Sequence, residues 1–310
     1  MSTWSEVKRE LRWLTYSFTL HLAVATGLLF GVWNLYSAIA LRDNRKSLFE
    51  DSLQQHAQLG ETLEQALSRP LVVSVDAAGM ETIDNPLRYD YEKMVEAMSV
   101  LTGPGLIANT LTLACMLLLP FAGFTIGMII ASHDLRSGGI VLRWPQLTPS
   151  RFLTAKLATS TGAMFVVVLI ATLTSGVAGS FAGGGEDGYP LPQAPSALHL
   201  LALAGFATLI GTVFAALGLL IGSTGTQRAF ALILFFAVYY LAPLLGPWDP
   251  RQWITSSGQP VMHYVGELRI PQSDDALTPS LLLLALTVVA LAGFGAVWRW
   301  RAKMPARTFA

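Results

Sequence analysis

The sequence predicts an all-α membrane protein. Six transmembrane helices form a bundle, N-in and C-in, with a small extracytoplasmic domain between the first two. Three observations predict this. Only 13% of the 310 residues are charged and 53% are hydrophobic, whereas an average soluble domain is about 25% charged. The charges are also sorted along the chain. Six stretches, 14–41, 104–132, 157–182, 198–222, 229–246 and 280–298, together hold 145 residues and no Asp, Glu, Lys or Arg. A hydrocarbon core about 30 Å thick needs about 20 apolar residues at helical rise, and each stretch meets or approaches that length. Finally, basic residues near spans stay on the cytoplasmic side. With the N-terminus inside, the inner segments carry twelve basic and three acidic residues, and the outer ones eight basic and seventeen acidic. This sorting excludes a soluble enzyme and places the chain in the cytoplasmic (inner) membrane as a multi-pass protein. The abundance of Ala and Leu, and of Arg over Lys, points to a bacterial membrane.

The elements follow in order. Residues 1–13 contain Trp4, Leu11 and Trp13 among mixed charges and read as an amphipathic helix on the inner leaflet, against the alternative of a frayed tail. The apolar stretch 14–41 is far longer than a signal-peptide core of about 7–15 residues, so it reads as a retained first span. Segment 42–103 is the largest soluble piece. In it Phe49, Leu53, Ala57, Leu63 and Leu67 recur at helical spacing over 43–69. Gly60 interrupts that pattern and Pro70 ends it. Residues 71–75 read as a strand or extended segment, Pro86 breaks the chain again, and 90–101 predicts a second helix leading into 104–132. Sixty-two residues make a marginal core alone, so this piece packs on the bundle or on a second copy. It either gates substrate and docks an outer partner, or caps the bundle with no specific ligand.

Loop 133–156 returns on the inner side to the span 157–182. The outer loop 183–197 is rich in Gly and Pro and carries no helix signal. Spans 198–222 and 229–246 are joined by Ser223 to Arg228, a tight antiparallel hairpin. Outer segment 247–279 holds five prolines and predicts short broken helices at the interface. Span 280–298 leads to a cytoplasmic tail, 299–310. Gly123 and Gly127, Gly218 and Gly222, and Gly211 and Ala215 are spaced for close helix approach. Pro120 and Pro243 predict kinks.

The search for chemistry mostly excludes. No Lys follows a Gly, so the chain has no G-x-x-x-x-G-K-[ST] phosphate loop and cannot hydrolyse ATP by that machinery. Cys115 is the single cysteine, which excludes an internal disulfide and a cysteine zinc site. The five histidines are scattered, no carboxylate lies within a span, and net charge is zero. Nothing points to nucleic acid, to a metal, or to a cofactor bound by this chain. His21 lies about two turns into the first span. It either touches substrate or a proton relay, or bonds a neighbouring helix. The other polar candidates for a substrate path are Asn34, Asn109, Thr112 and Tyr239, each of which also suits an ordinary interhelical hydrogen bond.

The anomaly is loop 133–156. It is basic, with Arg136, Arg143 and Arg151, yet exposes Leu135, Ile140, Val141, Leu142 and Trp144. Such a cluster needs a partner. It lies either on the lipid surface or in a groove of a cytosolic protein.

Asp134, Arg136, Gly138-Gly139, Leu142, Leu147, Pro149-Ser150-Arg151 and Lys156 resemble the pattern that permease subunits of type-2 ATP-binding-cassette (ABC) exporters carry after their second span. The layout of the whole chain is similar too. Asp134 stands where Glu is usual, and segment 42–103 is larger than in minimal members. The resemblance implies a mechanism. Two permeases, identical or different, pair around a central path. Two copies of a cytosolic ABC ATPase hold the ATP and Mg. Asp134, Leu135, Arg136, Gly138, Gly139, Leu142, Trp144 and Arg151 form the helix that couples to that ATPase. The chain itself is then a transport subunit, not an enzyme, and its substrate is an amphipathic drug, a lipid-like molecule or a peptide. Two other readings stay open. One is a permease of a maturation or assembly system, with an extracytoplasmic protein bound at 42–103. The other is a non-transporting sensor or scaffold.

Overall fold

The computed structural model describes residues 3–75, 81–136, 148–182, 189–242, 248–262, 264–265 and 275–302. Helix α1 spans Thr3–Tyr16 and α2 spans Phe18–Gln58. The break between them is made at Ser17, whose hydroxyl accepts from the Thr19 amide and so caps α2. A small domain follows: α3 at Leu63–Ser68, an antiparallel pair β1 (Val73–Val75) and β2 (Glu81–Ile83), and α4 at Pro86–Val100. In the pair, Val73 faces Ile83 and Ser74 faces Thr82. Next come α5 (Gly103–Leu113), a π-helical turn (Ala114–Leu118) and α6 (Leu119–Arg136), which stack into one long rod. Helices α7 (Pro149–Phe181), α8 (Ala197–Ser223) and α9 (Arg228–Phe236) follow, and α9 ends in a second π turn, Ala237–Leu241. Helix α10 (Pro250–Gly258) is short, and α11 (Leu277–Ala302) is the last.

Among the described residues five helices are long and apolar enough to cross a membrane: Phe18–Gln58, Gly103–His133, Ser150–Phe181, Ala197–Ser223 and Leu277–Trp300. The chain is a helical multi-pass membrane protein. Within the predicted span 229–246 the described helix is Arg228–Leu241, and 243–246 lie outside the described residues. The described part is about 21 Å long at helical rise. Ala242 is extended (ψ 139°), as the residue before a proline must be when the helical region is sterically disfavoured. Pro243, where a kink is expected, lies outside the described residues.

The helix starts are written in the sequence. Thr62 and Gln65 cap α3 reciprocally, the two-way arrangement that satisfies two amides otherwise left without partners. Asn85 caps α4 and also donates to the Ala66 carbonyl at 2.8 Å, fastening α3 to α4. Pro86, Pro149 and Pro250 sit in the first turns of their helices, where a missing N–H costs nothing. Helix α2 runs 41 residues, about 60 Å at helical rise. Its end is set by Gly60, at φ 78°. The Glu61 amide reaches the His56 carbonyl and the Gly60 amide the Ala57 carbonyl, the paired bonds of a glycine helix stop.

The bundle closes on small residues. One face of α2 buries Thr19, Ala23, Gly27, Gly31, Asn34 and Ala38. A Cβ on Gly27 would fall 2.6 Å from the Val167 carbonyl of α7. Helices α6 and α8 lie closer still. A Cβ on Gly123 would meet the Gly211 carbonyl at 2.3 Å, and one on Gly127 the Ala215 carbonyl at 2.1 Å. From the other side, one on Gly218 would meet the Phe124 carbonyl at 2.1 Å. The predicted glycine pairs are therefore one interface, seen from both helices. The small domain has its own core of Phe49, Ala66, Leu87, Met94 and Met98, and Tyr189 and Leu191 pack against it. It is built on the projecting end of α2 and docked on the bundle, one of the two arrangements its size allowed.

Candidate functional site

The expected coupling segment is bracketed by the end of α6 and the start of α7. Asp134, Leu135 and Arg136 form the last turn of α6. Their side chains, and Gly138, Gly139, Leu142 and Trp144 entirely, lie outside the described residues. Arg151 is exposed in the first turn of α7. What holds the bracket is Lys156. Its side chain is fully buried; Nζ donates to Glu10 Oε2 at 2.8 Å and to the Ile130 carbonyl at 3.2 Å. One ammonium thus joins α1, α6 and α7. It also lies 5.3 Å from the Phe152 ring centroid, close enough for a cation–π contact. Helix α1 turns Glu6, Val7, Glu10 and Leu14 inward and leaves Trp4 exposed. Its acidic face meets protein, a feature that an interfacial-helix reading does not contain. On the same side Arg228 donates to Ser132 Oγ, tying α9 to the end of α6.

The candidate path residues separate into three groups. His21 is exposed, and its Nδ1 lies 3.2 Å from the Ser17 carbonyl of its own helix. It does not join the others. Asn34 and Asn109 are buried and bonded to one another, Asn109 Nδ2 donating to Asn34 Oδ1 at 3.3 Å. Asn34 Nδ2 donates to Thr110 Oγ1 at 2.7 Å, and Thr110 shares a 2.8 Å hydrogen bond with Ser175 Oγ. This network joins α2, α5 and α7. Thr110 and Ser175 are not marked by the sequence, since nothing local distinguishes them from hydroxyls that bond their own backbone. Thr112 is buried, and its hydroxyl has no hydrogen-bond partner among the described residues. Tyr239 is buried further along the rod and donates to the Met116 carbonyl at 3.0 Å. Its neighbour Tyr240 donates to the Leu117 carbonyl.

Two hollows adjoin these groups. An apolar crevice of about 430 Å³ lies between α2 and the rod, lined by Leu22, Phe30, Trp33, Leu118, Phe121 and Thr125. The Thr125 hydroxyl is buried there with no partner among the described residues. A cavity of about 520 Å³ lies beside the small domain, with Asn109 in its lining. Asp249 caps α10 and is buried; Arg251 Nη2 bonds its Oδ2 at 2.6 Å and the Ala242 carbonyl at 3.2 Å. The Asp249 carboxylate holds the Arg251 guanidinium above its ordinary pKa by that hydrogen bond. Among the described residues no group of three His, Cys, Asp or Glu is placed to hold a metal ion. No protein-family model matches the chain, and none of the curated proteins or solved structures matches it.

Proposed function

We propose that the chain is the membrane-spanning permease subunit of an ABC transporter, exporting an amphipathic or hydrophobic substrate with ATP hydrolysed by a separate cytosolic subunit. The reading rests on one observation above the others: the basic, apolar segment from Asp134 to Arg151, set between two apolar helices in a chain without a phosphate loop. A segment of that composition needs a partner, and a chain without a nucleotide site needs an energy source. One ATPase subunit meets both needs. In this reading 229–246 is the fifth of six crossings, the basic ends are cytoplasmic, and the small domain is extracytoplasmic. The apolar crevice between α2 and the rod supports a substrate with a large apolar part, because such sites are mostly apolar with a few polar groups.

A second reading is favoured by the folded small domain. Its separate core around Phe49 and Met94 is more than a connecting loop requires. It suits a permease of an assembly system whose outer domain engages an extracytoplasmic protein.

The deciding experiment is affinity purification of the chain from its native membrane in mild detergent, with mass spectrometry of what accompanies it. The expected companion is a cytosolic ATPase carrying a phosphate loop, lost when Arg136 and Trp144 are replaced. Recovery of the chain alone, or only with outer-face proteins, overturns the ABC reading. Normal coupling of ATP hydrolysis to transport in both variants removes the coupling assignment.

A further inference from the structure

Helix α4 has two used faces. Leu87, Met94, Val95 and Met98 enter the small-domain core. The residues three and four positions apart on its other side, Tyr89, Glu92, Lys93, Glu96, Ser99 and Val100, line the 520 Å³ cavity. The opposite wall is the loop Pro192–Pro195, and the floor is α5 with Gly105, Ala108 and Asn109. The corner between α4 and α5 is fixed. A Cβ on Gly105 would fall 2.1 Å from the Ser99 carbonyl, so only glycine lets the two helices meet this closely.

We propose that this cavity binds an amphipathic cation of drug size, with its positive group at Glu92 and Glu96 and its apolar body against Val100, Ala108, Pro192 and Val265. The volume lies within the range of small-molecule sites, roughly 300–1,000 Å³. Arg88 occupies one oxygen of Glu92 and Lys93 one oxygen of Glu96. Each carboxylate keeps a second oxygen. Segment 42–103 carries eleven acidic and six basic residues, so the surrounding field attracts cations and repels anions. A purely apolar guest would strip water from charged groups and return no hydrogen bond. A small hydrophilic ion would gain nothing from the apolar walls. At the floor, Asn109 donates one N–H to Asn34 and accepts the Val265 amide at 3.3 Å. A carboxamide has two N–H donors and two acceptor positions, so Asn109 retains one of each for a guest. Its contacts to Asn34 and Val265 fix its orientation beforehand, the condition for a site that does not reorganise on binding. The inference stands whether or not an ATPase binds the opposite end.

The test uses the full chain in phosphatidylcholine nanodiscs and ethidium, a planar apolar cation with amino groups, followed by fluorescence anisotropy. Saturable binding of one ethidium per chain is expected, above that of empty discs. Glu92→Gln with Glu96→Gln should weaken it at least tenfold. Ser99→Trp should abolish it by filling the cavity, as should Ala194→Trp, which is placed on the exposed loop and leaves the helices untouched. Neutral N-phenyl-1-naphthylamine should bind at least tenfold more weakly and ignore the two glutamates. No saturable ethidium binding, or unchanged affinity in the glutamate and Ala194→Trp variants, overturns the site. Equal affinity for the neutral probe overturns the cation.

Discussion

Lys156 and Glu10 are 146 positions apart, yet their side chains form a buried ion pair, Nζ to Oε2 at 2.8 Å, with 0% and 3% of the side chains exposed. A buried pair contributes little against an apolar replacement of both partners, but removing one partner leaves an uncompensated charge at a cost of about 3–5 kcal/mol. Lys156→Met and Glu10→Met are each expected to lower the thermal midpoint in detergent and to release α1 to proteolysis. The double replacement should recover most of the loss. Additive losses in the double variant would show that the two charges do not stabilise one another.

The α6–α8 interface gives a sharper contrast. Gly127→Ala or Gly218→Ala sets a methyl group 2.1 Å from a backbone carbonyl of the other helix. Backbone cannot rotate aside, so the helices must separate, at about 1–3 kcal/mol or more. Gly205 lies on the same α8 with nothing within 4 Å of its Cβ position. Gly205→Ala gains helix propensity, up to about 1 kcal/mol. Denaturant titration should show the first two destabilised and the third unchanged or improved. Equal effects at all three would mean that glycine's role here is backbone flexibility, not close approach.

These two cases also mark what the residues made legible. Glycines at four-residue spacing announce a close interface, and here both partners announce it. Proline, Ser/Thr/Asn/Asp caps and Gly60 place helix ends, because backbone chemistry at an end is local. Charge-free stretches mark apolar length along the chain, not where a helix ends. Helix α2 therefore continues through Arg42, Asp43 and Lys46 to Gln58, since charged residues are welcome in a helix that water surrounds. The pairings were hidden. Nothing local in Lys156 indicates Glu10, and nothing in Asn109 indicates Asn34, because each pairing is made by packing of whole helices. The first π turn was hidden too, as the Met116 and Leu117 carbonyls are answered by tyrosines from elsewhere.

The Asn34 network tests one such hidden pairing. Asn34→Leu removes the donor to Thr110 and leaves Asn109 Nδ2 without its partner in a buried site. An unmet buried polar group costs about 1–3 kcal/mol. Thr208→Val is the control, since Thr208 Oγ1 donates to the Ala204 carbonyl one turn back on its own helix. Unfolding in detergent should show a loss for Asn34→Leu of that order and almost none for Thr208→Val. Matching small effects would mean the network is replaceable by packing alone.

The last prediction concerns Tyr239 and Pro120. Proline has no N–H, so, at the end of a π turn in which the Leu119 amide already reaches the Ala114 carbonyl, Pro120 cannot answer the carbonyls one turn back, that of Met116 among them. In lipid that carbonyl has no water to turn to. The Tyr239 hydroxyl supplies the missing donor at 3.0 Å, from the segment Arg228–Leu241. Tyr239→Phe should therefore destabilise the rod by about 1 kcal/mol. Pro120→Ala returns an N–H to the turn, after which Met116 no longer depends on the tyrosine. In that background Tyr239→Phe should cost about half as much or less, a coupling that a double-mutant cycle measures directly. The same cost in both backgrounds would show that the hydroxyl acts independently of the proline turn, and no cost in either would leave only the ring, packed against Phe214 and Phe235. A positive coupling would identify α9 as the element that holds the proline turn in shape, and would explain why two adjacent tyrosines stand where the turn presents its carbonyls.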